Sequence, residues 1–137
     1  MIFVDTGAWI ALTDRSDQYH DDAKSIYLRL RSERERFVTT DYIIDETITR
    51  LRYDANHQHA VRFLDLIALA EKTGVLNRIT ITAEIFDEAL RLFRQYDTVK
   101  LSFTDCTSFV VCRRHHITEA FAFDQHFFMQ GIVLCRV

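Results

Sequence analysis

Proline is absent from this 137-residue chain, and glycine occurs only as Gly7, Gly74 and Gly131. That scarcity leaves no flexible or low-complexity linker, and no segment repeats. One compact unit over residues 1–137 is expected. Cysteine is equally sparse. Cys106, Cys112 and Cys135 are odd in number, which rules out a fully paired disulfide set. Their spacing fits no zinc pattern. A reduced, cytoplasmic protein is the simplest reading. No apolar run reaches the roughly 20 residues of a membrane span. The first residues lack the basic region of a signal peptide, so no membrane association is expected. Lysine is rare too, with three residues against fourteen arginines. Guanidinium groups suit bidentate phosphate contacts, although lineage codon usage produces the same bias. The net charge of −3 argues against a passive nucleic-acid coat. It is compatible with an enzyme whose acidic site is filled by cations.

The composition that is present, 48% hydrophobic and 27% charged, is that of a globular protein. A chain of this size buries roughly two thirds of its unfolded surface and needs no staples. Short apolar runs alternate with segments of helical period. Strands are expected at residues 2–4, 36–40, 78–81, 120–123 and 132–135. Helices are expected at about 18–31, from an Asp41 cap to Arg52, at 57–72 with Gly74 as the stop, at 83–95 and at 103–115. In the second helix Ile44, Ile48 and Leu51 are expected inward; in the fourth, Ile85, Phe86, Ala89, Leu90 and Phe93. Strand–helix alternation predicts a mostly parallel sheet covered on both faces. Sites in such folds form beyond the carboxyl ends of the strands, where strand order reverses.

Two aspartates fall there. Asp5 follows the first strand, and Asp124 follows AFAF; if those strands are neighbours, both carboxylates face one crevice. In LSFTDCTSF, Asp105 stands three residues after Ser102, the spacing of a capping box, so a purely structural role is its plain alternative. In IIDETITRL and the residues just before it, Asp41, Asp45 and Glu46 compete for a fourth place, and helical geometry does not choose among them. A solvated acidic first turn is the plain reading of any one of them. Carboxylates gathered in one crevice raise one another's pKa values. An all-oxygen donor set points to a hard cation, Mg²⁺ or Mn²⁺. The chemistry of such a site is metal-dependent phosphodiester hydrolysis.

VDTGAW, IIDETITRL, LSFTDCTSF and AFAFDQHF, in that order across nearly the whole chain, resemble a PIN-domain ribonuclease. The likeness is to the VapC-type toxins of toxin–antitoxin pairs. The resemblance implies a three-layer α/β/α sandwich with a mostly parallel sheet of about five strands. It implies an RNA-cleaving enzyme that leaves a 5′-phosphate and a 3′-hydroxyl, with Mg²⁺ or Mn²⁺ as cofactor. It implies a cognate antitoxin and a homodimer as partners. It carries over Asp5 and Asp105 as core metal ligands, Glu46 rather than Asp45 as the family glutamate, and Asp124 as the late acid. Thr6 matches a hydroxyl that supports the metal shell, and Phe127 an aromatic three residues after the late acid. The chain departs from the pattern at Gly7, where relatives often carry a small polar residue. It departs again at His126, where many carry another acid, and this weakens any second metal position.

Other features read as structural. Arg29, Arg31, Arg34 and Arg36 are interleaved with Glu33 and Glu35, as on a solvated helix end. Arg113, Arg114, His115 and His116 complement a helix C-terminus. His57 and His59 do not share a helical face. Trp9 packs near the first strand, and Cys106 is an inert buried thiol. Two other function classes remain. A PIN-like module with a decayed site would bind RNA or a partner without cutting. A phosphoacceptor domain would need a lysine after a late strand, and Lys24, Lys72 and Lys100 are not so placed.

Overall fold

The computed structural model describes residues 1–137. Five parallel strands form one sheet: β1 (Ile2–Val4), β2 (Phe37–Thr40), β3 (Leu76–Ile79), β4 (Glu119–Phe121) and β5 (Val133–Leu134). Their order is β3-β2-β1-β4-β5. Six helices connect them: α1 (Thr6–Thr13), α2 (His20–Ser32), α3 (Asp41–Asp54), α4 (His57–Lys72), α5 (Ala83–Gln95) and α6 (Phe103–Arg114). A 3₁₀ turn spans Gln125–Gln130 between β4 and β5.

Every residue of β1 and β2 is buried, so helices cover both faces of the sheet centre. This is the three-layer α/β/α arrangement expected of continuous apolar strands. The register sets Val4 opposite Phe121 and Phe3 opposite both Val38 and Ala120. The chain leaves β1 for β2 and β3 on one side, then returns to β4 and β5 on the other. The reversal of strand order therefore falls between β1 and β4, where a parallel sheet opens a crevice at its carboxyl edge.

Several elements differ from the sequence reading. β3 begins two residues earlier than expected, pairing Leu76 with Phe37. It is an edge strand with exposed Asn77 and Arg78, so the apolar-run criterion slid toward Ile79 and Ile81. β4 and β5 are each displaced or shortened relative to their apolar runs. The cap of α3 is Thr40, whose hydroxyl accepts from the Ile43 N–H at 3.1 Å. Asp41 instead accepts from the Ile81 N–H at 2.9 Å and ties α3 to the chain beyond β3. α3 buries Ile43, Ile44, Thr47 and Leu51, leaving Ile48 only half-buried. α5 buries Ile85 and Ala89 as expected, but the face turns to Leu92, and Phe86, Leu90 and Phe93, also expected inward, are exposed. α4 matches its expected range, and Gly74 follows it at φ +75°, a conformation that favours glycine.

Candidate active site

β1 ends at Val4, and Asp5 N–H continues the pairing by donating to the Phe121 carbonyl at 3.1 Å. α1 starts at the next residue, so Asp5 sits at a strand-to-helix corner. A buried polar chain fixes that corner. Trp9 Nε1 donates to Thr39 Oγ1 at 3.3 Å, and Thr39 Oγ1 donates to the Val4 carbonyl at 3.2 Å. Trp9 packs on Phe63 with centroids 5.8 Å apart, so it is a structural residue and not a base-stacking platform.

Asp5 is only 7% exposed. Its pKa is pushed up to about 7, chiefly by burial, against the favourable Thr6 backbone N–H, and further by the charges of Asp105, Glu46 and Asp124. Four carboxylates from four distant segments therefore share one electrostatic neighbourhood. Glu46 and Asp105 are also raised, again first by burial. Like-charge repulsion, the effect expected from sequence, is real but smaller than desolvation at all three.

Each remaining acid is positioned locally. Glu46 lies half-buried on α3, with Arg50 Nη1 at 3.8 Å, whereas Asp45 is exposed. Of the three competing acids, Glu46 is the one whose charge acts on Asp5, while Asp45 faces solvent and Asp41 is tied to Ile81. Asp105 completes a capping box on α6: its N–H donates to Ser102 Oγ at 3.0 Å, and its Oδ2 accepts from the Ser102 N–H at 3.1 Å. The structural reading holds, and the same box that starts the helix also orients the carboxylate. Asp124 caps the 3₁₀ turn by accepting from the His126 N–H at 2.9 Å. The turn brings the His126 ring back, with Nδ1 at 3.0 Å from Asp124 Oδ1 and 4.0 Å from Asp105 Oδ2. Donor atoms of Asp105, Asp124 and His126 all lie within 4.8 Å of one another.

Three buried polar atoms have no hydrogen-bond partner: Thr6 Oγ1, Ser108 Oγ and His126 Nδ1. Such orphans are rare in folded proteins and mark a place where a water or ion belongs. Thr6 directly follows Asp5. It also lies near enough to Glu46 to favour that carboxylate's charged form, without a bond of normal geometry. Ser108 was not singled out from sequence. It lies one helical turn after Asp105 and one before Cys112, and the Cys112 thiol is raised to about 12 by burial and then by the Asp5 charge. Its only signal in the sequence was a hydroxyl three residues after an acid, on the same helical face. Costly buried carboxylates with unpartnered donors beside them fit a divalent cation.

A family model for the PIN domain matches residues 2–129. The chain belongs to the PIN-domain family. Among curated proteins it is 34% identical to the 23S rRNA-specific endonuclease VapC20 of Mycobacterium tuberculosis, over 99% of this chain and 98% of that one. It is 29% identical to a VapC ribonuclease of Archaeoglobus fulgidus, over 94% of this chain and 80% of that one. The crystal structure of M. tuberculosis VapC20, described as a Sarcin-Ricin loop cleaving toxin, superposes with a TM-score of 0.84 at 33% identity, covering 100% of both chains. The VapBC2 complex of Rickettsia felis, bound to a promoter DNA fragment, matches with a TM-score of 0.69 at 12% identity, covering 98% of this chain and 97% of that one. That likeness is one of fold. This PIN-domain protein is thus of the VapC type.

Outside the site, the discounted features are structural. Arg114 Nε lies 2.9 Å from Glu88 Oε2, with Arg113 at 3.8 Å from the same carboxylate, clamping α6 to α5. His59 lies against the Asn56 cap, 2.7 Å from its Oδ1. No helix is long and apolar enough to cross a membrane.

Proposed function

We propose that this VapC-type PIN-domain protein is a divalent-metal-dependent endoribonuclease, the toxin of a toxin–antitoxin pair. Asp5, Glu46, Asp105 and Asp124 are its catalytic acids and metal ligands, and Thr6 supports them. The observation that carries this reading is a buried Asp5 carboxylate at the β1–α1 corner, with the donor atoms of Asp105, Asp124 and His126 gathered within 4.8 Å of one another at the adjoining strand end.

Mg²⁺ or Mn²⁺ is the cation this donor set fits, and when bound it supplies water activation and charge neutralisation at the scissile phosphate. The chain's own residues do the rest. Asp5, which burial keeps partly protonated near neutral pH, would have to be ionised to hold the cation. The Ser102 N–H and the His126 N–H each fix one carboxylate, so Asp105 and Asp124 are oriented before substrate binds. Arg50, half exposed beside Glu46, stands where an incoming phosphodiester needs a cation. The family resemblance implies that hydrolysis would leave a 5′-phosphate and a 3′-hydroxyl.

The substrate is RNA. Identity to VapC20 along the whole chain supports the sarcin–ricin stem-loop of 23S rRNA as the sequence to test first. A cognate antitoxin and a homodimer complete the proposal. Exposed Phe86, Leu90 and Phe93 on α5, with Leu64 and Leu69 on α4, are the apolar surface available to such partners. Three free, buried cysteines support a reduced, cytoplasmic setting as part of this proposal.

The test is cleavage of a synthetic sarcin–ricin hairpin by purified protein. Cutting with Mg²⁺ or Mn²⁺, arrest by EDTA and loss in Asp5→Asn are expected. Undiminished cutting by Asp5→Asn, or cutting in EDTA, overturns the reading. Metal-independent RNA binding without cleavage supports a decayed module, the reading that His126 in place of an acid favours.

A further inference from the structure

The late part of the site is not built from carboxylates alone. Asp124 caps the turn, and the turn is anchored by Phe127, fully buried between Phe3 and Phe109 with centroids at 5.9 and 5.2 Å. That anchor and the Asp124 cap hold the residue between them, so the His126 ring is held over the site and not left to swing in solvent. Its Nδ1 is buried and makes no hydrogen bond of acceptable geometry, although two carboxylates stand within 4.0 Å.

We propose that His126 is a nitrogen ligand at the Asp105–Asp124 edge of the site and shifts its preference from Mg²⁺ toward Mn²⁺. The inference rests on the metal-dependent reading given above and adds a donor to it. Nδ1 lies 3.0 Å from Asp124 and 4.0 Å from Asp105, and the donor atoms of all three residues lie within 4.8 Å of one another, close enough to share one ion. A second, independent observation comes from Thr6, which is only 2% exposed and carries an unpartnered hydroxyl beside Asp5. Thr6 Oγ1 and His126 Nδ1 thus each lie beside a carboxylate without a hydrogen bond of acceptable geometry.

The chemistry then selects among ions. Mg²⁺ prefers oxygen donors and sheds its waters reluctantly, whereas imidazole suits first-row transition ions. Mn²⁺ accepts both classes, so a site with three or four carboxylates and one imidazole favours it over Mg²⁺. Coordination through Nδ1 requires the neutral ring with its proton on Nε2. A protonated ring pairing with both acids is the competing arrangement, and it leaves no lone pair for a metal.

The test uses the full chain without RNA. Mn²⁺ is titrated in, and pulsed electron paramagnetic resonance reads coupling of the bound ion to nitrogen. Nitrogen coupling in the wild-type protein and its loss in His126→Gln are expected. In His126→Asp, the ratio of Mn²⁺ to Mg²⁺ affinity, measured by competition, is expected to fall roughly tenfold. Bound Mn²⁺ without nitrogen coupling, or an unchanged affinity ratio, overturns the role of His126 and leaves the nuclease reading standing. Absence of Mn²⁺ binding overturns both.

Discussion

The Asp5 N–H donates to the carbonyl of Phe121 at 3.1 Å. That bond ties the first carboxylate of the site to the strand leading to the last one, across the point where strand order reverses. The site is therefore as rigid as the centre of the sheet, and its electrostatics follow from burial that the sheet imposes.

Burial of Asp5 makes the metal-free protein pH-sensitive in a defined direction. Its folded pKa of about 7 lies above the ordinary 3.8. Between those values the folded state keeps a proton that the unfolded chain has released, so stability falls as pH rises and the loss is complete above pH 7. The full span is worth about 4 kcal/mol. Asp5→Asn removes the penalty while abolishing cleavage. In EDTA, urea unfolding is expected to show the variant more stable than wild type at pH 8, with the difference shrinking toward pH 4. A variant less stable at both pH values contradicts this.

Cation binding should run the same linkage in reverse. Asp5, Glu46 and Asp105 must shed protons to act as ligands, so Mn²⁺ affinity is expected to drop between pH 8 and pH 6. At pH 7 about half a proton is released from Asp5 alone for each ion bound. Calorimetry in two buffers of different ionisation enthalpy measures that release; zero release contradicts a ligand role for Asp5.

The capping box separates folding from chemistry at Asp105. Ser102→Ala loses the bond from the Asp105 N–H and is expected to cost about 1 kcal/mol of stability. It keeps the Ser102 N–H that holds Asp105 Oδ2, so RNA cleavage should persist. Asp105→Asn should remove cleavage. Equal loss of cleavage in both variants contradicts this division.

α5 offers a packing test. Leu92 is 5% exposed and Leu90 39%. Leu92→Ala is expected to cost about 2–5 kcal/mol and Leu90→Ala well under half of that, measured by urea unfolding. The reverse order contradicts the face assigned to the helix.

That helix shows where sequence legibility ended. Ile85 and Ala89 were legible, but Phe86, Leu90 and Phe93 flank them at helical spacing as convincingly as Leu92 does, and only packing against α6 shows which side of that broad stripe is buried. α1 was invisible for the opposite reason: TGAWIALT is nearly apolar all round and carries no side-chain cap, so it shows no amphipathic period. The strands were legible because β1 and β2 are buried on both faces, and legibility faded at the edge strand β3. The site was half legible. Asp5 and Asp124 followed from their place after apolar runs, but the choice of Glu46 over Asp45 came from family resemblance and needed coordinates to gain a geometric basis. His126 was read only as a missing acid. Its approach to Asp105 depends on a 3₁₀ turn that no periodicity announces.

The most direct measurement is anomalous diffraction from crystals of this chain grown with Mn²⁺. A peak embraced by the carboxylates of Asp5, Asp105 and Asp124, with Glu46 beside it, is the expected result. Manganese density elsewhere on the surface, or none at saturating Mn²⁺ above pH 7, would contradict a common ion for these side chains.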